Sequence, residues 1–177
     1  MVLEPFLLIN TNENMLAFAN GQPIPHIINN IFVPTFGMVG GTGSTISLLI
    51  AIFIFSRQKS AKQVARLSLA PGLFNINEPV IFGLPIVFNL PLMIPFVLLP
   101  AIGIYFAWLC TTLGLMSRCV VMIPWTTPPI LSAWLATAGD WRAVVVQLAI
   151  IVFGVFFYLP FLKIAERVAL KNSGIEN

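Results

Sequence analysis

The stretch Leu67–Asn89, which reads LSLAPGLFNINEPVIFGLPIVFN, decides the fold. It is mostly apolar, but proline and glycine interrupt it at Pro71, Gly72, Pro79, Gly83 and Pro85. Proline removes a backbone N–H and clashes with the preceding turn, so the stretch cannot be one regular helix exposed to lipid. Broken backbone is tolerated at membrane depth where it is buried in protein or lines a water-filled cavity. We therefore predict a re-entrant hairpin over residues 68–90.

The composition indicates that lipid is the solvent of this chain. Of its 177 residues, 58% are hydrophobic and only 8% are charged, whereas a soluble domain carries about 25% charged residues. The basic residues behind the net charge of +3 lie at the ends of apolar runs, so we expect no nucleic-acid partner. The two cysteines and one histidine follow no metal-ligand spacing, so we expect no metal and no cofactor.

Three apolar runs are long enough to approach the roughly 20 residues that cross a bilayer. We predict full spans at residues 38–56, 91–116 and 143–162. Residues 1–37 are interrupted by amides and prolines, which predicts irregular structure with one short helix near Glu13–Ala19.

Residues 119–139 are uncharged, but the string Pro124–Pro129 contains three prolines, which predicts a second broken segment. The expected fold is therefore an all-α membrane protein with about three full transmembrane helices and one or two re-entrant or broken segments. A five-span topology is the alternative, if the hairpin and residues 119–139 both cross the membrane.

Basic residues cluster after the first and last predicted spans. Residues 57–67 form a predicted cytoplasmic loop and residues 163–177 a predicted cytoplasmic tail; the basic side chains of the two are Arg57, Lys59, Lys62, Arg66, Lys163, Arg167 and Lys171. Cytoplasmic segments carry an excess of lysine and arginine, which predicts a multi-pass protein of the bacterial inner membrane with a cytoplasmic carboxy-terminus. Contact with anionic lipids is a second interpretation of the loop.

Glu78 is the candidate functional residue, because it is the one charged residue between Leu67 and Ser117. An acidic side chain at membrane depth costs about 2.5–3.5 kcal/mol on insertion scales and is usually functional. A carboxylate accepts hydrogen bonds, and the amides of Asn75 and Asn77 both donate and accept them, which suits a ligand with many hydroxyl groups. Two alternatives are an interfacial, solvated Glu78 and a structural ion pair with a lysine or arginine.

Trp125 and Thr126 are further candidates for ligand binding. They lie between prolines, where a tryptophan ring can stack on a sugar, although tryptophan also belongs at membrane interfaces. No motif on the chain forms a complete active site, so its status as an enzyme stays open.

Three motifs resemble one family in the same order. The segments Gly40–Thr45, Ser68–Val87 and Ile123–Pro129 are similar to the IIC component of the bacterial phosphotransferase system, in its lactose/cellobiose/chitobiose family. The resemblance implies a membrane channel that carries a disaccharide while the sugar is phosphorylated. The phosphoryl group comes from a phosphocysteine on a separate cytoplasmic IIB protein, and full-length members are homodimers.

The resemblance also implies roles for individual residues. Glu78 is the glutamate of the Asn-Glu-Pro motif, which contacts the sugar and assists its hydroxyl group during phosphoryl transfer, and Asn75 and Asn77 are the matching amides. Family members are considerably longer and carry a sugar-contacting histidine in a Gly-x-His-Gly setting, which His26 does not share. We therefore expect the chain to be a truncated, carboxy-terminal part of such a permease.

Two other functions remain open from the sequence. An ion-coupled secondary transporter would use Glu78 as a proton site, and a truncated remnant would transport nothing.

Overall fold

The computed structural model describes residues 3–172, with side chains up to residue 169. This part of the chain contains helices and no strand, which confirms the all-α prediction. The elements are α1 (Glu4–Ala19), α2 (Phe32–Gly37), α3 (Thr45–Phe55), α4 (Lys59–Leu73), α5 (Glu78–Gly83), a 3-10 turn (Ile86–Phe88), α6 (Leu90–Thr112), α7 (Leu131–Ala136) and α8 (Trp141–Asn172).

Helices α6 and α8 are the two in the described part that are long and apolar enough to cross a membrane. They run antiparallel, because the backbone N–H of Ser117, just beyond α6, donates to the carboxylate of Asp140, just before α8 (2.7 Å). Further along, a Cβ on Gly154 of α8 would lie 2.9 Å from a methyl group of Leu99. Small residues allow this close approach between helices.

The shorter helices form two layers along the α6–α8 pair. In one layer, α2 and α7 pack beside the start of α8, in a core that includes Phe32, Phe36, Ala107, Ala133 and Val146. We call this side the Trp141 end. In the other layer, α3, α4 and α5 pack beside the last part of α8, in a core that includes Leu48, Ile52, Ala65, Val80 and Tyr158. We call this side the basic end.

Helices α3 and α4 form a hairpin whose tip lies at the basic end. The hydroxyl of Ser56, at the tip, donates to the carboxylate of Glu166 near the end of α8. Helix α3 has 11 residues, so it is only about 17 Å long at 1.5 Å per residue and cannot cross the ~30 Å hydrocarbon core. Its amino-terminal end therefore lies inside the molecule, at the junction between the two layers.

Several local predictions differ from the structure. The basic residues of 57–67 belong mostly to helix α4 instead of a loop. The short helix predicted near Glu13–Ala19 is the last part of a regular 16-residue helix, α1. The predicted span 38–56 is α-helical only over Thr45–Phe55, and α8 continues beyond residue 162 to Asn172. Residues 173–177 of the predicted tail lie outside the described part. The number of membrane crossings and the cytoplasmic side stay predictions.

Helix α1 forms although asparagines recur in its sequence, because one of them faces inward. The amide nitrogen of the buried Asn14 donates to the carbonyl oxygens of His26 (2.8 Å) and Cys119 (3.1 Å), and its oxygen accepts from the backbone N–H of His26 (2.9 Å). Asn29 donates to the same Cys119 carbonyl (2.9 Å). These long-range bonds favour the helix over the local turns that asparagine otherwise stabilises.

The stability of the α6–α8 junction should depend on pH through Asp140. Burial raises the pKa of this carboxyl group, but hydrogen bonds from Ser117 and Arg142 outweigh it and lower the pKa from 3.8 to about 2. The depressed pKa means that the stabilisation is present above pH 3.8 and is lost as the pH falls towards 2, by about 2 kcal/mol in total.

We expect Asp140→Asn to remove this part of the pH dependence. The measurement is denaturant unfolding in detergent micelles at pH 6 and at pH 2.5, for both chains. If the two chains lost the same free energy of unfolding between these pH values, Asp140 would not carry the effect.

Candidate functional site

Three loops meet at the junction between the two layers, which we call the seam. They are the glycine-rich loop 40–44 before α3, the loop 74–77 between α4 and α5, and the proline-rich string 124–129 before α7. These are the three motifs that the sequence singled out. The residues of α8 beside these loops and the cavity run from Gln147 to Tyr158. At 1.5 Å per residue they lie roughly 9–25 Å from the start of that helix, so the seam lies beside the first half of α8.

The side chain of Asn75 joins the three loops. Its amide nitrogen donates to the carbonyl oxygens of Trp125 (2.6 Å) and Thr127 (3.0 Å), and its oxygen accepts from the backbone N–H of Gly40 (2.9 Å). Asn75 has a φ of +62°, in the left-handed region that asparagine tolerates better than most residues. With both amide hydrogens in use, Asn75 holds the loops together more than it offers donors to a ligand.

The side chain of Asn77 fastens the glycine-rich loop from the other side. Its amide nitrogen donates to the carbonyl oxygen of Thr42 (2.6 Å). A Cβ on Gly41 would lie 2.6 Å from Cγ of Asn77, and Gly41 has a φ of +98°. Only glycine fits this position, both for space and for backbone conformation. The glycine-rich sequence is therefore explained by close packing of loops.

Helix α8 fixes the same loop through Tyr158. Its hydroxyl, on a fully buried side chain, donates to the carbonyl oxygen of Gly43 (2.7 Å). The loop is thus held by a long apolar helix as well as by Asn77, which makes it a rigid part of the seam.

Glu78 begins helix α5 directly after the loop 74–77. The carbonyl oxygen of Asn77 accepts from the backbone N–H groups of Val80 and Ile81 (3.0 Å each), which starts the helix. The side chain of Glu78 is exposed. Among the residues that the structure describes, none forms a hydrogen bond or an ion pair with its carboxylate, so the alternative of a structural ion pair finds no partner there.

A cavity of about 1010 Å³ opens beside the seam. Asn75, Trp125 and Thr127 line it, together with polar side chains of the Trp141 end, namely Asn30, Thr35, Ser132 and Gln147. This volume is at the upper end of the roughly 300–1,000 Å³ typical of ligand pockets. Glu78 and Thr126 are not among its lining residues, so the carboxylate of Glu78 lies outside this cavity.

Of the candidates that line the cavity, Trp125 is exposed. It is 64% exposed although it lines the cavity, so its ring is not part of the core. Thr127, and not Thr126, is the threonine of this string that lines the cavity; its hydroxyl donates to the carbonyl oxygen of Pro124 (2.7 Å). The roles of these residues in binding stay predictions.

Gln147 was not among the candidates predicted from the sequence. This side chain, on the second turn of α8, is 1% exposed and lines the cavity. The signal was present, because Gln147 is the one amide between Ala143 and Leu162, and polar groups inside a span usually face partners in the protein interior.

Broken helical segments that meet beside long apolar helices are typical of one class of protein, the membrane transporters. Comparison with known proteins agrees with this class. Residues 1–100 match the family described as "Phosphotransferase system, EIIC". The chain belongs to this family of membrane components, which confirms the resemblance.

Individual relatives cover most of the chain. The cellobiose-specific EIIC component of Lactococcus lactis subsp. lactis (strain IL1403) is 43% identical over 151 residues, which are 81% of this chain and 31% of that protein. The lichenan permease IIC component of Bacillus subtilis (strain 168) is 34% identical over 97% of this chain and 38% of its own length.

The fold is also similar to a solved structure. The crystal structure of the transporter ChbC, the IIC component from the N,N'-diacetylchitobiose-specific phosphotransferase system, superposes with a TM-score of 0.92 at 36% identity. The match covers 98% of this chain and 40% of that one. The chain thus spans between 31% and 40% of the length of these proteins.

Proposed function

We propose that the chain is the carboxy-terminal, sugar-translocating part of a phosphotransferase-system permease for a disaccharide of the cellobiose, lactose or chitobiose type. The observation that carries the proposal is the seam: three sequence motifs, joined by Asn75 and Asn77, meet beside a large cavity that Asn75 lines, and Glu78 follows Asn77 with an exposed side chain. The names of the relatives support a disaccharide or a related β-linked sugar.

Glu78 is the proposed contact for the reacting sugar hydroxyl group. An ionised carboxylate accepts hydrogen bonds from hydroxyl groups, and it can take up the proton that the hydroxyl loses during phosphoryl transfer. The open ring of Trp125 is the proposed stacking surface for a pyranose. Asn75 and Asn77 act mainly by holding the loops that carry these groups.

A cytoplasmic IIB protein is the proposed phosphoryl donor. Arg57 follows Ser56 at the tip of the α3–α4 hairpin, and Lys163 and Arg167 flank Glu166, to which Ser56 is bonded. Helix α4 adds Lys59 and Lys62. This concentration of positive charge suits the cytoplasmic side of the membrane and would attract an anionic phosphorylated partner.

The proposed setting is a multi-pass protein of the bacterial inner membrane with a cytoplasmic carboxy-terminus. The phosphorylated residue belongs to IIB, so this chain supplies the binding site and the path. Homodimer formation is proposed for the full-length permease.

The test is a phosphorylation assay in membranes that contain this chain together with the remaining spans of an EIIC protein. With phosphoenolpyruvate and the soluble phosphotransferase proteins present, we expect phosphorylated cellobiose or chitobiose to form. Uptake of unmodified sugar, driven by a proton gradient in cells without the phosphate relay, would indicate the ion-coupled alternative. Neither uptake nor product would indicate a protein that transports no sugar and would contradict the proposal.

A further inference from the structure

The buried amide of Gln147 joins three elements of the Trp141 end. Its nitrogen donates to the carbonyl oxygen of Thr35 in α2 (2.7 Å) and to the hydroxyl of Ser132 in α7 (3.0 Å). Its oxygen accepts from the backbone N–H of Ile130 (2.5 Å). Both amide hydrogens are in use, so Gln147 has no donor left for a ligand.

Ile130 has a backbone conformation that needs such support. Its φ is +74° and its ψ is −58°, a rare and strained combination for a β-branched residue. Strained residues persist only where the surrounding structure holds them. The hydrogen bond from Ile130 to Gln147 is a contact that does so, because it fixes the N–H of the strained residue to a rigid helix.

The string before Ile130 forms one wall of the cavity, which we call the proline wall (residues 124–129). Asn75 binds this wall at Trp125 and Thr127, and Gln147 binds the chain directly after its other end. The wall is therefore fastened at two places, one in the loop 74–77 and one in α8. The position of the Trp125 ring depends on both.

We propose that Gln147 is a positioning residue for the sugar site: it holds the proline wall against the seam and so sets the affinity for the sugar. This inference rests on the proposed function only for its consequence for binding; the position of the wall can be tested without sugar. Gln147 does not contact the sugar in this proposal and acts through Ile130 and the wall.

The first experiment measures the position of the wall in the full 177-residue chain in membranes. Thr126→Cys provides a label on the wall, and the rate of its reaction with a polar maleimide reports its accessibility; the native Cys110 and Cys119 are buried. Gln147→Leu removes all three hydrogen bonds at similar side-chain volume, and one of them, from Ile130, holds the proline wall. We expect this variant to raise the labelling rate about tenfold, the factor that corresponds to loss of that one hydrogen bond.

Ser47→Ala is the matched control. It also removes a buried hydrogen bond to α8, from the Ser47 hydroxyl to the carbonyl oxygen of Ile151 (3.1 Å), but on the side of the basic end. We expect the labelling rate of the Ser47→Ala chain to stay at that of the parent. Equal rates for Gln147→Leu and the parent, or equal increases in both variants, would overturn the proposal.

The second experiment measures sugar phosphorylation in the assembled permease. Gln147→Leu should raise KM about tenfold with kcat unchanged, because uniform binding is lost, and Ser47→Ala should change neither. If Gln147→Leu does not fold, Gln147→Asn replaces it, since the amide is then one methylene too short to reach Ile130. A parent without phosphorylation would contradict the proposed function, whereas an unmoved wall would contradict the role of Gln147.

Discussion

Replacing Glu78 by glutamine is expected to lower kcat/KM for sugar phosphorylation at least about a hundredfold, the lower end of what a positioned acid–base group contributes. Glutamine keeps the size of the side chain and one acceptor oxygen, but it has no negative charge and cannot take up the hydroxyl proton. Because the carboxylate of Glu78 is exposed and has no partner among the described residues, the substitution should leave folding unchanged. The measurement is phosphoenolpyruvate-dependent sugar phosphorylation in membranes.

Glu13→Gln is the control for the loss of an acidic side chain. Glu13 is 54% exposed and contacts His26, and neither residue lines the cavity. We expect this variant to phosphorylate sugar at the parent rate. Normal binding and phosphorylation by Glu78→Gln would remove the proposed role of Glu78.

Replacing Gly41 by alanine is expected to disrupt the seam. The added Cβ would lie 2.6 Å from Cγ of Asn77 and 2.8 Å from the carbonyl oxygen of Asn75, at a φ of +98°. Moving Asn77 away would break its hydrogen bond to Thr42. Backbone strain of about 1–3 kcal/mol and overpacking of about 1–3 kcal/mol together predict a loss of several kcal/mol and of sugar binding.

Gly21→Ala separates the two contributions. Gly21 also has a positive φ, +64°, but nothing lies within 4 Å of the position of its added Cβ. The control therefore carries the cost of backbone strain without the clash. The free energies of unfolding are measured by denaturant titration in detergent micelles, and sugar binding by calorimetry in the assembled permease. If Gly41→Ala were as mild as Gly21→Ala, the loops would not be packed as closely as described.

The broken character of residues 67–89 could be predicted from the sequence, because proline and glycine act through local geometry. The same holds for the membrane class, which follows from the 8% of charged residues. The family could be recognised because the three motifs follow one another along the chain as they do in the family. That the three motifs lie side by side at the seam could not be derived from their order in the sequence.

Other elements depended on contacts between distant residues. Only the last part of helix α1, near Glu13–Ala19, was predicted, since its asparagines favour turns locally, whereas Asn14 finds its partners at His26 and Cys119 only in the folded chain. The helical start of α4 was missed because the positive charges suggested a loop. Buried positions at Ala61, Ala65 and Ser68 show that this segment packs one face on the protein.

For the candidate site, residue types indicated polar recognition but not how the polar groups are used. Asn75 was predicted to bind a ligand, yet its amide hydrogens go to the carbonyl oxygens of Trp125 and Thr127. Gln147 is bound in the same way, by residues that lie 15, 17 and 112 positions away in the sequence. Hydrogen-bond partners at such separations are set by the packing of helices.

The sequence alone determines three features of the protein: its membrane class, the positions at which its helices break, and the one carboxylate in a long uncharged stretch. It can do so because hydropathy, proline and charge act over a few residues. Only the folded structure decides that the broken segments meet beside α8 and that the side chains of Asn75, Asn77 and Gln147 bind loop backbone. It also decides that the carboxylate of Glu78 is exposed. The reason is that an amide has the same donors and acceptor wherever it lies, and only the fold brings a carbonyl oxygen within 3 Å of it.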